Sequence, residues 1–76
     1  MALKRDIHPI PDYVLSALES EDLVERYRSR PPYQQNDYIG WITRAKRQET
    51  IDKRLNQMLT ELRNGDKYMG MDYRSK

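Results

Sequence analysis

Cysteine is absent from the chain of 76 residues. That excludes disulfide staples, thiolate zinc sites and thiol catalysis, and it fits a reducing, cytoplasmic setting. Three scattered glycines cannot form a glycine-rich phosphate loop. There is one histidine, His8, with no second histidine or cysteine to share a metal and no serine or carboxylate placed to work beside it. No cofactor or metal is therefore expected, and an enzyme is the least favoured class. No apolar run approaches the roughly 18 residues of a membrane helix, and the opening Met-Ala-Leu-Lys-Arg-Asp lacks the apolar stretch of a signal peptide. Membrane insertion is not expected.

What the chain does contain is charge. Charged residues make up 34% and hydrophobic residues 37%, with a mean hydropathy of −1.06. A chain this short forms one domain, and its few apolar residues must be well placed for it to fold. The net charge of +2 is too small to argue for a polyanion partner. Its distribution is uneven: residues 1–25 hold two basic and six acidic side chains, and residues 26–76 hold twelve and six. A mildly positive C-terminal two-thirds is compatible with nucleic acid and equally with a solvated surface.

Apolar spacing predicts four helices. Residues 1–9 show no helical period and read as a flexible arm. Pro11 suits the start of a first helix reaching Glu19, with Asp12 in its first turn and Ile10, Val14, Leu15 and Leu18 as its stripe. Ser20 reads as the cap of a short second helix, with Glu21 and Asp22 in its first turn and Leu23, Val24 and Tyr27 as its stripe. That helix must stop before Pro31-Pro32. Pro32 opens a third helix, in which Tyr38, Trp41, Ile42 and Ala45 fall at i, i+3, i+4 and i+7. Gly40, on its flank, is either a close helix contact or a tolerated defect. The fourth helix is expected from Gln48 to Asn64, with Ile51, Leu55, Met58, Leu59 and Leu62 as its stripe, a Glu49–Lys53 pair on its surface and Gly65 after its end. Residues 66–76 have no period and read as a flexible tail. No stretch alternates usefully at period two, so no sheet is predicted. The expected fold is all-α: a small four-helix bundle-like domain over residues 10–65, two short helices followed by an antiparallel pair of longer ones.

The stretch P-P-Y-x-x-x-x-Y-I-x-W-I-x-x-A-K-x-x-E-T-x-x-x-R-L, Pro31 to Leu55, resembles the hallmark of the YdeI/OmpD-associated (bacteriocin-protection) family. Among its residues are Pro32, Tyr38, Trp41, Glu49 and Thr50. The upstream PDYVLSALES and the closing Asn64-Gly65-Asp66-Lys67 extend the likeness to residues 10–67. The resemblance implies a bacterial context of bacteriocin or stress tolerance and association with an outer-membrane porin, with no reaction attached. Functions of the additional domain that members often carry before the helical segment are not implied for these residues.

Two constellations are candidates for contact. At the junction of the third and fourth helices lie Arg44, Lys46, Arg47, Glu49, Thr50, Lys53 and Arg54. A helix N-terminus with Lys46, Arg47 and Arg54 can make an anion pocket, although Glu49 opposes it. The favoured reading is a structural ion-pair cluster of Lys46, Glu49, Lys53 and Arg54. The second constellation is aromatic. Helical spacing assigns Tyr38 and Trp41 to the core, and Tyr33, beside the double proline, is the better exposed contact.

The expected function is thus a non-enzymatic protein-interaction module, with Tyr33, Lys46, Arg47 and Arg54 as contact residues and the protein partner unidentified. A homodimer through the fourth helix or the tail residues Tyr68, Met69, Met71 and Tyr73 is a further possibility. Nucleic-acid or anion binding at the basic junction is the alternative. A helix-turn-helix is disfavoured by the Arg30-Pro31-Pro32 break and by Asp52 and Glu61, which are read as lying on the exposed face of the fourth helix.

Overall fold

The computed structural model describes residues 9–72; the arm residues 1–8, with His8, and residues 73–76, with Tyr73, lie outside the described residues. The fold is all-α, with a short ribbon at its C-terminal end. Helix α1 spans Asp12–Ser20, α2 Val24–Ser29, α3 Pro32–Arg44 and α4 Gln48–Asn64; strands β1 (Lys67–Tyr68) and β2 (Met71–Asp72) follow. Among these, no helix is long and apolar enough to cross a membrane.

Side chains at i and i+4 from each helical segment meet in one core. Val14 and Leu18 come from α1, Leu23 and Tyr27 from the start of α2, Tyr38 and Ile42 from α3, and Met58 and Leu62 from α4. Ile39 and Leu59 complete the buried cluster. Burying each large apolar side chain stabilises by about 1.5–3 kcal/mol. Trp41, expected in the core, packs against its edge and is half-buried. Gly40 is buried within α3. Helices α3 and α4 run antiparallel: Trp41 meets Arg54 while Tyr38, earlier in α3, meets Glu61, later in α4.

Two expectations are corrected. Ser20 does not cap a second helix; it is the last residue of α1. Asp22 takes a left-handed conformation (φ 59°). Leu23 N then donates to Leu18 O at 2.8 Å, and Asp22 N to Glu19 O at 3.1 Å. This is a Schellman closure with aspartate in the position usually held by glycine, and its accompanying apolar contact joins two residues of the core cluster, Leu18 and Leu23. Ser-Glu-Asp therefore ends one helix, and α2 begins at Val24 without a side-chain cap.

The second correction concerns the tail. Lys67 pairs with Asp72 and Tyr68 with Met71 in an antiparallel two-stranded ribbon. Met69 (φ 50°) and Gly70 (φ 85°) turn it. Two successive left-handed residues make the tight hairpin turn that matches strand twist. A strand of two residues is too short to show a period.

Arginines close the ends of the long helices. The last carbonyls of a helix lack intrahelical partners and carry partial negative charge. At the end of α4, Arg26 Nη1 donates to Arg63 O at 2.7 Å and to Leu62 O at 3.3 Å, and Arg30 Nη2 donates to Glu61 O at 3.2 Å. Gly65, left-handed at φ 83°, follows as expected. At the end of α3, Arg54 Nη1 donates to Trp41 O at 2.6 Å.

Candidate functional site

The four expected contact residues do not converge. Lys46 and Arg47 lie exposed on the link between α3 and α4, whereas Tyr33 occupies the first turn of α3, about 20 Å away along a helix rising 1.5 Å per residue. Arg54 is only half-buried, yet its guanidinium is committed to Trp41, with its carbon 5.2 Å from the ring centroid as well as bonded to the carbonyl. These two contacts hold it against Trp41. The expected ion-pair cluster is also absent among the described residues. The one ion pair at the junction among the described residues is instead Arg47 Nη1 to Glu49 Oε1 at 3.7 Å, with the side chains 80% and 78% exposed. Such a pair contributes about 0–1 kcal/mol. Thr50 is half-buried in the first turn of α4, where its N–H donates to Arg47 O at 3.0 Å.

The opposite end of the α3–α4 pair holds a network that sequence reasoning missed. Glu61, expected on an exposed face, is 5% exposed. Its Oε1 accepts hydrogen bonds from the Tyr38 hydroxyl and, at 2.7 Å, from Met69 N–H. Its Oε2 accepts from Gly70 N–H at 2.7 Å and from Gln57 Nε2 at 3.1 Å. Burial pushes the Glu61 pKa up, but the bonds from Tyr38, Gly70, Met69 and Gln57 outweigh it and hold the carboxyl below its ordinary value. Tyr38 moves the other way: burial, the bond to Glu61 and the nearby negative charge raise its hydroxyl well above the usual tyrosine range. Arg30, also 5% exposed, donates from Nη1 to Gln34 Oε1 at 3.1 Å and from Nη2 to Lys67 O at 2.8 Å.

This network fixes an aromatic face. The Tyr68 ring lies edge-on to Tyr38 (centroids 5.5 Å, 87°) and to Tyr33 (6.1 Å, 81°), a favoured aromatic geometry. Its hydroxyl donates to Asp37 Oδ2 at 2.6 Å, and Gln34 Nε2 donates to the Tyr33 hydroxyl at 3.1 Å. Tyr33 nevertheless remains 47% exposed, and Met71, the cross-strand partner of Tyr68, is 58% exposed. Directly paired residues of an antiparallel ribbon stand on the same face, so Met71 flanks the tyrosines.

No spacing rule announces this site. Glu61 sits one turn from Met58 on the flank of the apolar stripe, where a carboxylate ordinarily faces water. Its donors come from a hairpin turn beyond the helix.

A family model described as bacteriocin-protection, YdeI or OmpD-associated matches residues 8–65. The chain belongs to this family. No curated protein and no solved structure matches it. The family segment takes in all four helices, the motif from Pro31 to Leu55 and the Tyr38–Glu61 pair, and it ends at Gly65. The YdeI/OmpD-associated segment thus supplies Tyr33, Tyr38 and Glu61, while Tyr68 and Met71 of the ribbon lie just beyond it.

Proposed function

We propose that this member of the YdeI/OmpD-associated family is a non-enzymatic protein-interaction module acting in bacteriocin or stress tolerance, with the face of Tyr33, Tyr68 and Met71 as its contact surface. The observation that carries this reading is the state of Tyr33, which is half in solvent yet held by a ring contact and a hydrogen bond. An exposed aromatic already fixed in place loses little freedom on binding, and tyrosine and methionine are favoured at interface centres. The polar groups beside it suit packing better than turnover. Glu61 and Tyr38 are bonded to each other and titrate away from neutrality in opposite directions, whereas acid–base catalysis works best with a pKa near ambient pH.

A photo-crosslinking amino acid placed at position 33 of the full chain, in bacteria under bacteriocin challenge, tests the reading. A discrete protein adduct at position 33, absent from the same probe at exposed Lys53, supports it, together with loss of protection in Tyr33→Ala. Equal labelling at both positions rejects it.

Nucleic-acid or anion binding at the α3–α4 junction remains the second reading, favoured by the exposure of Arg44, Lys46 and Arg47 and weakened by the engagement of Arg54. It requires an affinity that falls steeply with salt.

A further inference from the structure

Not every apolar side chain of α1 reaches the core. Val14 and Leu18 do, whereas Leu15 is half-buried and lies outside the buried cluster. It lines instead a half-open groove of about 300 Å³ where α1, α2 and the first turn of α3 meet. Leu18 and Tyr27 are the buried members of the lining, and Ile10 and Val24 are half-buried beside Leu15. A small space with an apolar lining and a few polar groups is the usual form of a small-ligand pocket. Most of its polar groups are already engaged. The Tyr27 hydroxyl donates to Gln35 O at 3.3 Å, and Gln35 Nε2 donates to Arg30 O at 2.7 Å and to Arg28 O at 3.2 Å. What remains is the guanidinium of Arg28, a lining residue that is exposed and has no hydrogen-bond or ion-pair partner for that group among the described residues. Arg28 follows Val24 by four residues in α2, so the two side chains stand on one face of the helix, a turn apart. The groove thus offers an apolar bed with one unpaired cation at its side.

We propose that this groove binds a free aliphatic carboxylate, a medium-chain fatty acid, with its chain against Ile10, Leu15 and Val24 and its carboxylate on Arg28. An arginine fork matches a carboxylate with two parallel N–H···O bonds. The rest of such a ligand carries no polar atom, which suits a lining whose donors are already engaged. A peptide ending in an apolar residue shares the carboxylate and the apolar side chain. It would also carry backbone N–H and C=O groups into the groove, where few partners await them, and burying such groups unpaired is costly. The chemistry therefore favours the molecule with a single polar end. The face of Tyr33, Tyr68 and Met71 takes no part, so this proposal and the interaction reading stand or fall separately.

An NMR titration of the isotope-labelled full chain with sodium octanoate tests the site, with octanol as the uncharged probe of the same chain length. Saturable shifts of the Ile10, Leu15 and Val24 methyls are expected, with a Kd on the order of 0.1–1 mM, while Leu62 stays unmoved. Arg28→Gln changes an exposed side chain and should leave the fold intact. It should weaken octanoate by on the order of 10-fold and leave octanol unchanged. Shifts that never saturate at millimolar octanoate overturn the site, and octanoate binding that survives Arg28→Gln undiminished overturns the carboxylate assignment. A short peptide ending in leucine with a free carboxylate that binds more tightly than octanoate overturns the proposal in favour of a protein chain end. Methyl NOEs from Ile7 to Leu15 that octanoate does not displace also overturn it, because the groove is then filled by the chain itself.

Discussion

Arg54 reaches back from α4 to lie over the indole of Trp41 while donating to that residue's own carbonyl at 2.6 Å. One side chain thereby closes the C-terminal end of α3 and covers an aromatic surface that would otherwise be left at the rim of the core. Replacement by alanine removes both contacts and is expected to destabilise the domain by roughly 1–3 kcal/mol in urea denaturation. Arg54→Lys keeps the charge but not the planar stack and should fall between. Neither change should alter any salt-sensitive anion binding at Lys46 and Arg47; a parallel loss there would return Arg54 to the anion site.

Tyr38→Phe preserves the buried ring and deletes only its hydroxyl. The Glu61 carboxylate then keeps three of its four donors, the Met69 and Gly70 N–H groups and Gln57 Nε2. A cost of about 1–3 kcal/mol at neutral pH is expected from thermal or chemical unfolding, typical of a buried acceptor that loses a donor. A neutral effect would mean that water replaces the hydroxyl.

Stability should fall at both extremes of pH. Folded Glu61 titrates below its ordinary value of 4.5, so its contribution is complete above that value and is lost as pH falls through the folded value. Tyr38 and Tyr27 are raised above 10.0, Tyr27 by burial alone. Their contributions are complete below 10.0 and are lost as pH climbs toward the folded values. Unfolding measured across pH should show Glu61→Gln flattening the acid limb and Tyr38→Phe flattening part of the alkaline limb. Unchanged limbs would reject these assignments.

Leu62 and Met71 give opposite outcomes from the same truncation. Leu62 is 1% exposed, and Leu62→Ala should cost roughly 2–5 kcal/mol. A domain of this size has only about 3–5 kcal/mol in hand, so circular dichroism should find much of that variant unfolded. Met71→Ala, at 58% exposure, should stay within about 0.5 kcal/mol of the parent.

Asp22→Gly is expected to stabilise. The left-handed conformation at φ 59° is strained for aspartate and free of strain for glycine. A gain of up to about 1 kcal/mol, read as a higher Tm, is the outcome that supports the Schellman closure. A loss would mean that the Asp22 side chain makes a compensating contact.

These positions also mark how far the sequence could be read. Helix α4 was legible from about Gln48 to Asn64, because a five-residue apolar stripe, the Glu49–Lys53 spacing and a terminal Gly65 all agree. Pro32 likewise announced α3. Ser20-Glu21-Asp22 misled because its composition suits a helix start, while the conformation was decided by burying Leu23 against Leu18. Glu61 was hidden because two of its four partners are backbone amides, and backbone groups leave no trace in composition. The double proline made Tyr33 the better candidate for an exposed contact but left its burial open, and it is 47% exposed; the ring that orients it comes from Tyr68, 35 residues further along the chain by their numbering.

Helix α2 is only six residues long, well under the length at which a helix persists unaided. What holds it includes Arg26 and Arg30, gripping the end of α4 and the start of the ribbon across separations of 31 to 37 residues. Its survival is therefore a matter of timing. The second helix along the chain is expected to be the last to assemble, waiting until α4 has its C-terminal turn. It is also expected to be the first to fray, and each time it lifts, the end of α4 loses its closure with it.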